Sequence, residues 1–205
     1  MPSEIGSFLK TLQKKGYQAS FFPTPEAAGA YLLSRIEPGS GVGVGGSKTI
    51  RDLGVIPEIR KKAGKVYDHW QEGLSPAEDQ AIRKAQLTCD LFLTSANAVT
   101  REGEIVNMDG VGNRVAALIF GPQKVMVIVG INKIVADREA AIRRIREVAG
   151  PRRAQSLNLP NPCVKAGVCK DCDLPTRICR ALVILTRAPM RSQIEVIVIG
   201  KEMGF

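Results

Sequence analysis

The chain has 205 residues, of which 44% are hydrophobic and 24% charged, a balance typical of a globular protein with one sizeable core. No apolar run approaches the roughly 20 residues of a membrane span, and residues 1–16 lack the apolar core of a signal peptide, so we expect a cytoplasmic protein without a membrane span. The formal net charge of +9 comes from scattered lysines and arginines and only 5% of residues are aromatic, which disfavours nucleic-acid binding and suits an anionic ligand.

The N-terminal part of the chain alternates between two periodicities. Residues 3–16 predict a helix with apolar residues on one side, and residues 17–22 predict a short strand. Residues 24–36 predict a second helix, with Thr24 as the N-cap and a proline in the first turn. Alternation of strands and helices is typical of an α/β protein.

Residues 41–49, GVGVGGSKT, form the first candidate ligand site. Gly41, Gly43 and Gly46 match the dinucleotide-binding spacing, but the alternating valines place the first two glycines inside a strand. The turn after this strand can direct backbone N–H groups at a phosphate or carboxylate. A tight turn without a ligand explains the glycines equally well. We predict a ligand-facing turn, and not a nicotinamide fingerprint, at Gly45, Gly46, Ser47, Lys48 and Thr49.

Residues 50–88 continue the alternation. Residues 50–62 predict an interrupted helix, residues 65–67 a strand, and residues 75–88 a helix that opens with a capping box. His69, the only histidine, follows the strand. It is suited to proton transfer near neutral pH, although a lone histidine in this position is more often a surface or hydrogen-bonded residue.

Residues 89–135 concentrate polar side chains at the ends of predicted strands, where α/β proteins bind ligands. Asn97, Asp109, Asn113 and Arg114 are candidate ligand-binding residues, and Arg114 could clamp a carboxylate or phosphate. Glu102, in the turn at residues 101–104, is the predicted base if the protein is a catalyst. A polar hairpin tip is the alternative for Glu102, and a helix cap is the alternative for Asp109.

Asn132 and Lys133 follow a buried strand that we predict at residues 124–129. They either face the ligand or simply connect this strand to the next helix. That helix is predicted to begin after Asp137 as its N-cap and to run to about residue 149.

A cysteine-rich segment interrupts the alternation. Four cysteines spaced C-x5-C-x2-C-x6-C suit a tetrahedral zinc or a four-iron, four-sulfur cluster, and we predict a metal-binding loop inserted at residues 160–180. Disulfides or free thiols are the alternatives. The predicted ligands are Cys163, Cys169, Cys172 and Cys179, whereas Cys89 lies in a predicted core strand. Residues 181–186 and 194–199 predict an antiparallel pair of strands at a sheet edge.

Two stretches resemble the lactate-utilisation (LUD) domain family. They are SANAVTREGEIVNMDGVGNRVAALIFGPQKVMVIVGINKIV (residues 95–135) and PCVKAGVCKDCDLPTRICR (residues 162–180), and they resemble its single-domain bacterial branch with a C-terminal four-cysteine segment. The resemblance implies one α/β domain over residues 1–205, with a mainly parallel sheet and helices on both faces, similar to the sugar-phosphate isomerase/CoA-transferase fold. Through its most specific motif, NMDGVGNRVAA, the resemblance favours a ligand site at Asn97, Glu102, Asp109, Asn113 and Arg114 over the structural alternatives. It also favours iron–sulfur over zinc.

We therefore expect a cytoplasmic metabolic protein of the lactate-utilisation type that binds a small anionic organic ligand and carries a four-cysteine metal site. The alternative is a non-catalytic accessory or electron-transfer subunit of a lactate-oxidising or other redox complex. Whether the protein is an enzyme stays open at this point, and the sequence is compatible with a homo-oligomer and with redox partner subunits.

Overall fold

The computed structural model describes residues 2–205 as alternating helices and strands. The helices are α1 (Pro2–Lys14), α2 (Pro25–Ser34), α3 (Lys48–Asp52), α4 (Ile56–Lys62), α5 (Pro76–Ala85), α6 (Asn113–Ile119), α7 (Arg138–Arg144), α8 (Gly150–Ser156) and α9 (Pro162–Ala166). The strands are β1 (Gln18–Phe22), β2 (Gly41–Val44), β3 (Lys65–Asp68), β4 (Leu91–Thr94), β5 (Ala98–Thr100), β6 (Ile105–Asp109), β7 (Lys124–Gly130), β8 (Ile134–Val135), β9 (Ala181–Leu185) and β10 (Gln193–Ile199). Across these residues, no helix has the length and apolar character needed to cross a membrane.

Six strands form the main sheet in the order β1-β10-β7-β4-β2-β3, and every pairing is parallel. The central strand β7 directs alternate side chains to opposite faces. Val125, Val127 and Val129 pack in a core cluster with α1 and α6, whereas Met126 and Ile128 pack in a second cluster with α2, α3 and α4. The predicted α/β architecture, a parallel sheet with helices on both faces, is confirmed.

The remaining four strands form a smaller second sheet in the order β8-β5-β6-β9. A second sheet was not predicted from the sequence. The turn at residues 101–104 joins β5 and β6 as an antiparallel hairpin, and β9 pairs antiparallel with β6. The predicted antiparallel pairing of the last two strands is wrong, because β10 lies between β1 and β7 in the main sheet. Its residues 194–199 are buried on both faces, which suits a central parallel strand.

Local sequence signals set several helix boundaries as predicted. Thr24 and Asp137 cap α2 and α7 through their side chains, and Ser75 with Glu78 forms the capping box of α5. The helix after Asp137 continues beyond the predicted end at residue 149, because a π-helical segment, Ile145–Ala149, connects α7 directly to α8. Single π-turns inside helices occur frequently at functional sites.

Candidate functional site

A cavity of about 400 Å³ lies at the carboxyl-terminal edge of the main sheet. The segments that follow β2, β3, β4 and β7 line it, together with the end of β6, the start of α6 and the π-helical segment. Parallel α/β sheets bind ligands at this edge, because the strands end together there and the loops diverge. The cavity is therefore the candidate site.

Seven of the ten residues predicted to form the central site line this cavity. They are Gly46, Ser47, Lys48, Asn97, Asp109, Asn113 and Arg114. Gly45 and Thr49 lie beside it: the backbone N–H of Gly45 donates to Leu93 O at 2.8 Å, and Thr49 is fully buried. The strand-end residues thus converge as expected from a parallel sheet.

Glu102 is the predicted residue that the structure places elsewhere. It is exposed at the tip of the β5–β6 hairpin and does not line the cavity. This position matches the alternative, a polar hairpin tip, and gives no support to the prediction of Glu102 as the base. The hairpin belongs to the smaller sheet, so its turn does not reach the strand ends of the main sheet.

The glycines of β2 have a packing role. Gly41 and Gly43 lie within the strand, as predicted, and a Cβ atom at Gly43 would be 2.8 Å from Cys89 Sγ and 2.9 Å from the Phe92 ring. Only glycine fits so close to two side chains without displacing them. The glycine spacing that matches the dinucleotide fingerprint is thus explained at Gly43 by core packing.

Arg114 organises the cavity wall through contacts with protein acceptors. Its Nη1 donates to Ser95 O (3.2 Å) and to the side-chain oxygen of Asn107, and its Nη2 donates to Met108 O (2.8 Å) and Asn97 Oδ1 (3.3 Å). Its Nε lies 3.3 Å from Asp109 Oδ2. Burial lowers the pKa of Arg114, and Asp109 partly offsets this effect. Because its donors face protein acceptors, Arg114 acts as a positioning residue in this structure, and its role as an anion clamp stays a prediction.

Asp109 holds the turn that leads into α6. Its Oδ1 accepts hydrogen bonds from the backbone N–H groups of Gly110 (2.7 Å), Val111 (3.3 Å) and Gly112 (3.3 Å). Gly112, with φ of 95°, is the N-cap of α6, a backbone conformation that favours glycine. Asp109 Oδ2 is buried and forms the ion pair with Arg114 Nε, without the alignment of a hydrogen bond.

Lys133 is a buried cation on the cavity wall. Lys133 lies three residues after the end of β7. Its Nζ donates to Thr49 Oγ1 (2.8 Å) and Ser95 Oγ (3.0 Å). Burial lowers the pKa of Lys133 to about 7, and the nearby Arg144 and Arg114 lower it further. Of the two alternatives for Lys133, the structure therefore supports the ligand-facing one.

Arg153 was not singled out from the sequence, where it stands as one of a scattered basic pair. In the structure it lines the cavity from α8, and its guanidinium carbon lies 4.5 Å from the centroid of the Trp70 ring. Burial, followed by the proximity of Arg114, lowers the pKa of Arg153. The sequence signal for Arg153 is weak. In α8 the buried residues are Pro151 and Ala154, and Arg153 between them is half-buried.

A chain of side-chain hydrogen bonds assigns the proton of His69. Arg83 Nη1 can only donate, so Asn113 Oδ1, 3.1 Å away, accepts. Asn113 Nδ2 must then donate to Gln86 Oε1 (3.0 Å), which places Gln86 Nε2 near Val44 O (2.8 Å), Tyr67 O (3.0 Å) and His69 Nδ1 (2.9 Å). Because an amide nitrogen is not an acceptor, a proton on Nδ1 would have no partner there, which favours the tautomer with the proton on Nε2.

His69 thus presents a neutral N–H group to the cavity. Burial, followed by Arg83, lowers the pKa of His69 to about 4, so the ring is uncharged at neutral pH. Its Nε2 lies 3.1 Å from where a Cβ atom at Gly46 would be. Such a histidine can donate a hydrogen bond, but it stays neutral and does not change its charge near pH 7.

The cysteine segment packs against the same cavity. The backbone N–H of Cys169 donates to Arg146 O in the π-helical segment at 2.7 Å, and Cys179 lines the cavity. Burial raises the pKa of Cys179, and the three other thiols of the segment raise it further. The segment contains α9 and otherwise no helix or strand up to β9.

The residues around the thiols fit a thiolate site in their chemistry. The backbone N–H of Asp171 is 3.3 Å from Cys169 Sγ, and Asn161 Nδ2 is 3.7 Å from Cys172 Sγ. Donors of this kind accompany metal-bound thiolates. Within residues 2–205, no three cysteine, histidine or acidic side chains are grouped so that they could hold a metal ion.

Comparison with known proteins places the chain in a family. The model of the LUD domain matches residues 5–199, so the chain belongs to the LUD domain family, and the resemblance predicted from the sequence is confirmed. The family supports a protein of the lactate-utilisation type. No curated protein sequence matches the chain.

One solved structure shows the same fold over nearly the whole chain. The crystal structure of a DUF162 family protein from Deinococcus radiodurans is 17% identical, covers 97% of both chains and has a TM-score of 0.53. The eIF2B beta and eIF2B delta structures from Chaetomium thermophilum also match, each with a TM-score of 0.38, at 13% and 15% identity. They cover 55% and 58% of this chain and 43% and 50% of their own chains.

Proposed function

We propose that this LUD-domain protein binds a small organic anion in the cavity, as a cytoplasmic metabolic protein of the lactate-utilisation type. The observation that carries the proposal is the charge of the cavity wall. Lys48 and Arg83 are paired with Asp52 and Asp79, whereas Lys133 and Arg153 have no carboxylate partner among residues 2–205. A buried cation without a counter-charge is costly, and a bound carboxylate or phosphate would offset that cost.

The size and lining of the cavity support an organic anion. A volume of about 400 Å³ lies in the range of small-molecule sites, and a few polar groups among apolar walls are typical of them. Ile145, Leu157 and Ile178 supply an apolar wall, and Trp70 stacks on the guanidinium of Arg153. His69 adds a neutral donor for a ligand oxygen.

We expect Arg153→Gln to weaken binding of an anion by about tenfold or more, because a hydrogen bond to a charged group contributes roughly 1.5–3 kcal/mol. Isothermal titration calorimetry with L-lactate, pyruvate and inorganic phosphate as probes measures the affinity. Arg152→Gln is the matched control, since Arg152 is the exposed neighbour and loses the same charge. Equal affinities of the two variants, or no binding of any probe to the wild type, would contradict the proposal.

Glu102→Gln provides a second comparison in the same experiment. We expect unchanged affinity, because Glu102 is exposed on the hairpin and does not line the cavity. Weaker binding by this variant would return Glu102 to the candidate site.

As a second proposal, Cys163, Cys169, Cys172 and Cys179 hold zinc or a four-iron, four-sulfur cluster, within a loop inserted at residues 160–180. The support comes from the C-x5-C-x2-C-x6-C spacing of the four cysteines and from the N–H donors beside two of the sulfur atoms. A cluster would supply one-electron redox chemistry, and zinc would stabilise the segment. A cluster would also favour the role of a subunit with redox partners, and co-purification of a partner protein would distinguish that role from a metabolite-binding enzyme.

Metal and sulfide content of protein purified without oxygen tests the cysteine site. We expect either about four irons and four sulfides or about one zinc per chain. Cys172→Ser is expected to lose most of this metal, because three thiolates remain, whereas Cys89→Ala is expected to retain it, since Cys89 is buried in the core. A wild-type protein without either metal, or equal metal in both variants, would overturn the site.

A further inference from the structure

Two hydroxyl groups hold the amine of Lys133, and the amine has no third hydrogen-bond partner among residues 2–205. Its Nζ donates to Thr49 Oγ1 and Ser95 Oγ, and these hydroxyls direct their own hydrogens to the backbone carbonyls of Met203 and Ala96, both at 3.4 Å. A neutral amine has two N–H groups, and both are then satisfied. Its lone pair is left for the cavity that Lys133 lines.

The surroundings of Lys133 favour this neutral form. Lys133 is 4% exposed, and no carboxylate of residues 2–205 is within ion-pair distance of its amine. Burial lowers the pKa of Lys133 to about 7, so a large share of the amine is unprotonated at neutral pH. Desolvation beside other cationic groups is a known way to activate a lysine as a nucleophile.

We propose that Lys133 forms a Schiff base with the carbonyl group of a small oxo acid bound in the cavity. The inference rests on the proposed anion site and names its substrate class. The nitrogen lone pair attacks the carbonyl carbon, the carbonyl oxygen takes up a proton, and loss of one water from this carbinolamine leaves the carbon–nitrogen double bond. The step consumes no oxidant and no reductant.

The rest of the cavity defines the substrate further. The carboxylate of the oxo acid pairs with Arg153, the only other cavity cation without a carboxylate partner among residues 2–205. A cavity of about 400 Å³ exceeds the needs of the smallest oxo acids, and Ile145, Leu157 and Ile178 form an apolar wall. This lining fits a 2-oxo acid with an apolar side chain larger than a methyl group.

Reductive trapping tests the inference. The full-length protein is incubated with pyruvate or 4-methyl-2-oxopentanoate and sodium cyanoborohydride, and its intact mass and peptide map are recorded. We expect one adduct per chain with the mass of the probe less one oxygen atom, located on Lys133. The larger probe should label faster than pyruvate.

Variants separate Lys133 from ordinary surface amines. Lys133→Met is expected to lower labelling at least tenfold, whereas Lys201→Met, which removes an exposed lysine, should leave it unchanged. Labelling spread over many lysines, or equal labelling of the two variants, would overturn the inference. The peptide map of the wild type answers the question even if Lys133→Met folds poorly.

Calorimetry with the same probes distinguishes the two proposals. If a probe binds in an Arg153-dependent manner but gives no adduct on Lys133, the Schiff base is refuted and the anion site stands. If the probes neither bind nor label, and lactate and phosphate also fail to bind, both proposals are refuted.

Discussion

Arg114→Met is expected to lower the free energy of unfolding by about 3–5 kcal/mol, the range found when one partner of a buried charged network is removed. The substitution keeps the apolar length of the side chain but removes every guanidinium donor. It removes one donor from Asn97 Oδ1 and from Asn107 Oδ1, which each keep a backbone N–H, and it removes the donor to Met108 O. Asp109 Oδ2 loses its ion-pair partner. Buried acceptors without a donor retain their full desolvation cost.

Chemical denaturation followed by circular dichroism measures this effect. Arg143→Met is the matched control, because Arg143 is exposed on α7 and its loss should change stability by less than about 0.5 kcal/mol. Equal denaturation midpoints for the two variants would show that Arg114 does not organise the cavity wall. Because the residues it holds line the cavity, the destabilised variant is also expected to bind the anion probes more weakly.

Lys133→Met is expected to stabilise the fold at pH 6 by about 2–3 kcal/mol. A pKa that falls from 10.5 to about 7 on folding corresponds to roughly 4–5 kcal/mol of cost when the amine is charged, at about 1.4 kcal/mol per pH unit. The lost hydrogen bonds to Thr49 and Ser95 offset about 1 kcal/mol each. The wild-type residue is then retained at the expense of stability, as is common for functional groups in a binding site.

The sign of the effect depends on pH. Between about pH 7 and 10.5 the unfolded chain holds a proton on Lys133 that the folded chain has released, so wild-type stability rises with pH over this interval. The advantage of Lys133→Met should therefore be complete below pH 7 and shrink towards pH 10.5, where the lost hydrogen bonds make it the less stable protein. Urea denaturation of both proteins at pH 6 and pH 10 measures this change. A variant less stable than the wild type at pH 6 would contradict the buried, depressed amine, and Lys201→Met should show no pH-dependent difference.

Several features of the site could be predicted from local patterns in the sequence. The glycine–valine alternation of β2 placed the turn at Gly45 and Gly46, and the polar residues after β4 and before α6 were expected to meet. This reasoning succeeds because a parallel sheet brings the carboxyl ends of its strands to one edge, whatever the order of the strands. The capping box at Ser75 and the cap at Asp137 were equally local.

The roles of individual side chains did not follow in the same way. Arg114 has the chemistry of an anion clamp, but its guanidinium donates to four residues of two segments, the loop after β4 and strand β6. Glu102 lies at the tip of the β5–β6 hairpin and does not line the cavity. Lys133 and Arg153 stand out only when the positions of all carboxylates are known. The availability of a charged group depends on contacts between residues that are distant in the chain.

The α/β class, the family and the edge of the sheet where polar residues gather could be inferred from the sequence, because periodicity, capping and strand-end chemistry act over a few residues. The position of β10 in the main sheet, the protein acceptors around Arg114 and the lack of an ion-pair partner for the buried amine of Lys133 within residues 2–205 required the three-dimensional structure. Strand partners, burial and electrostatic environment arise from long-range packing. No local pattern specifies them.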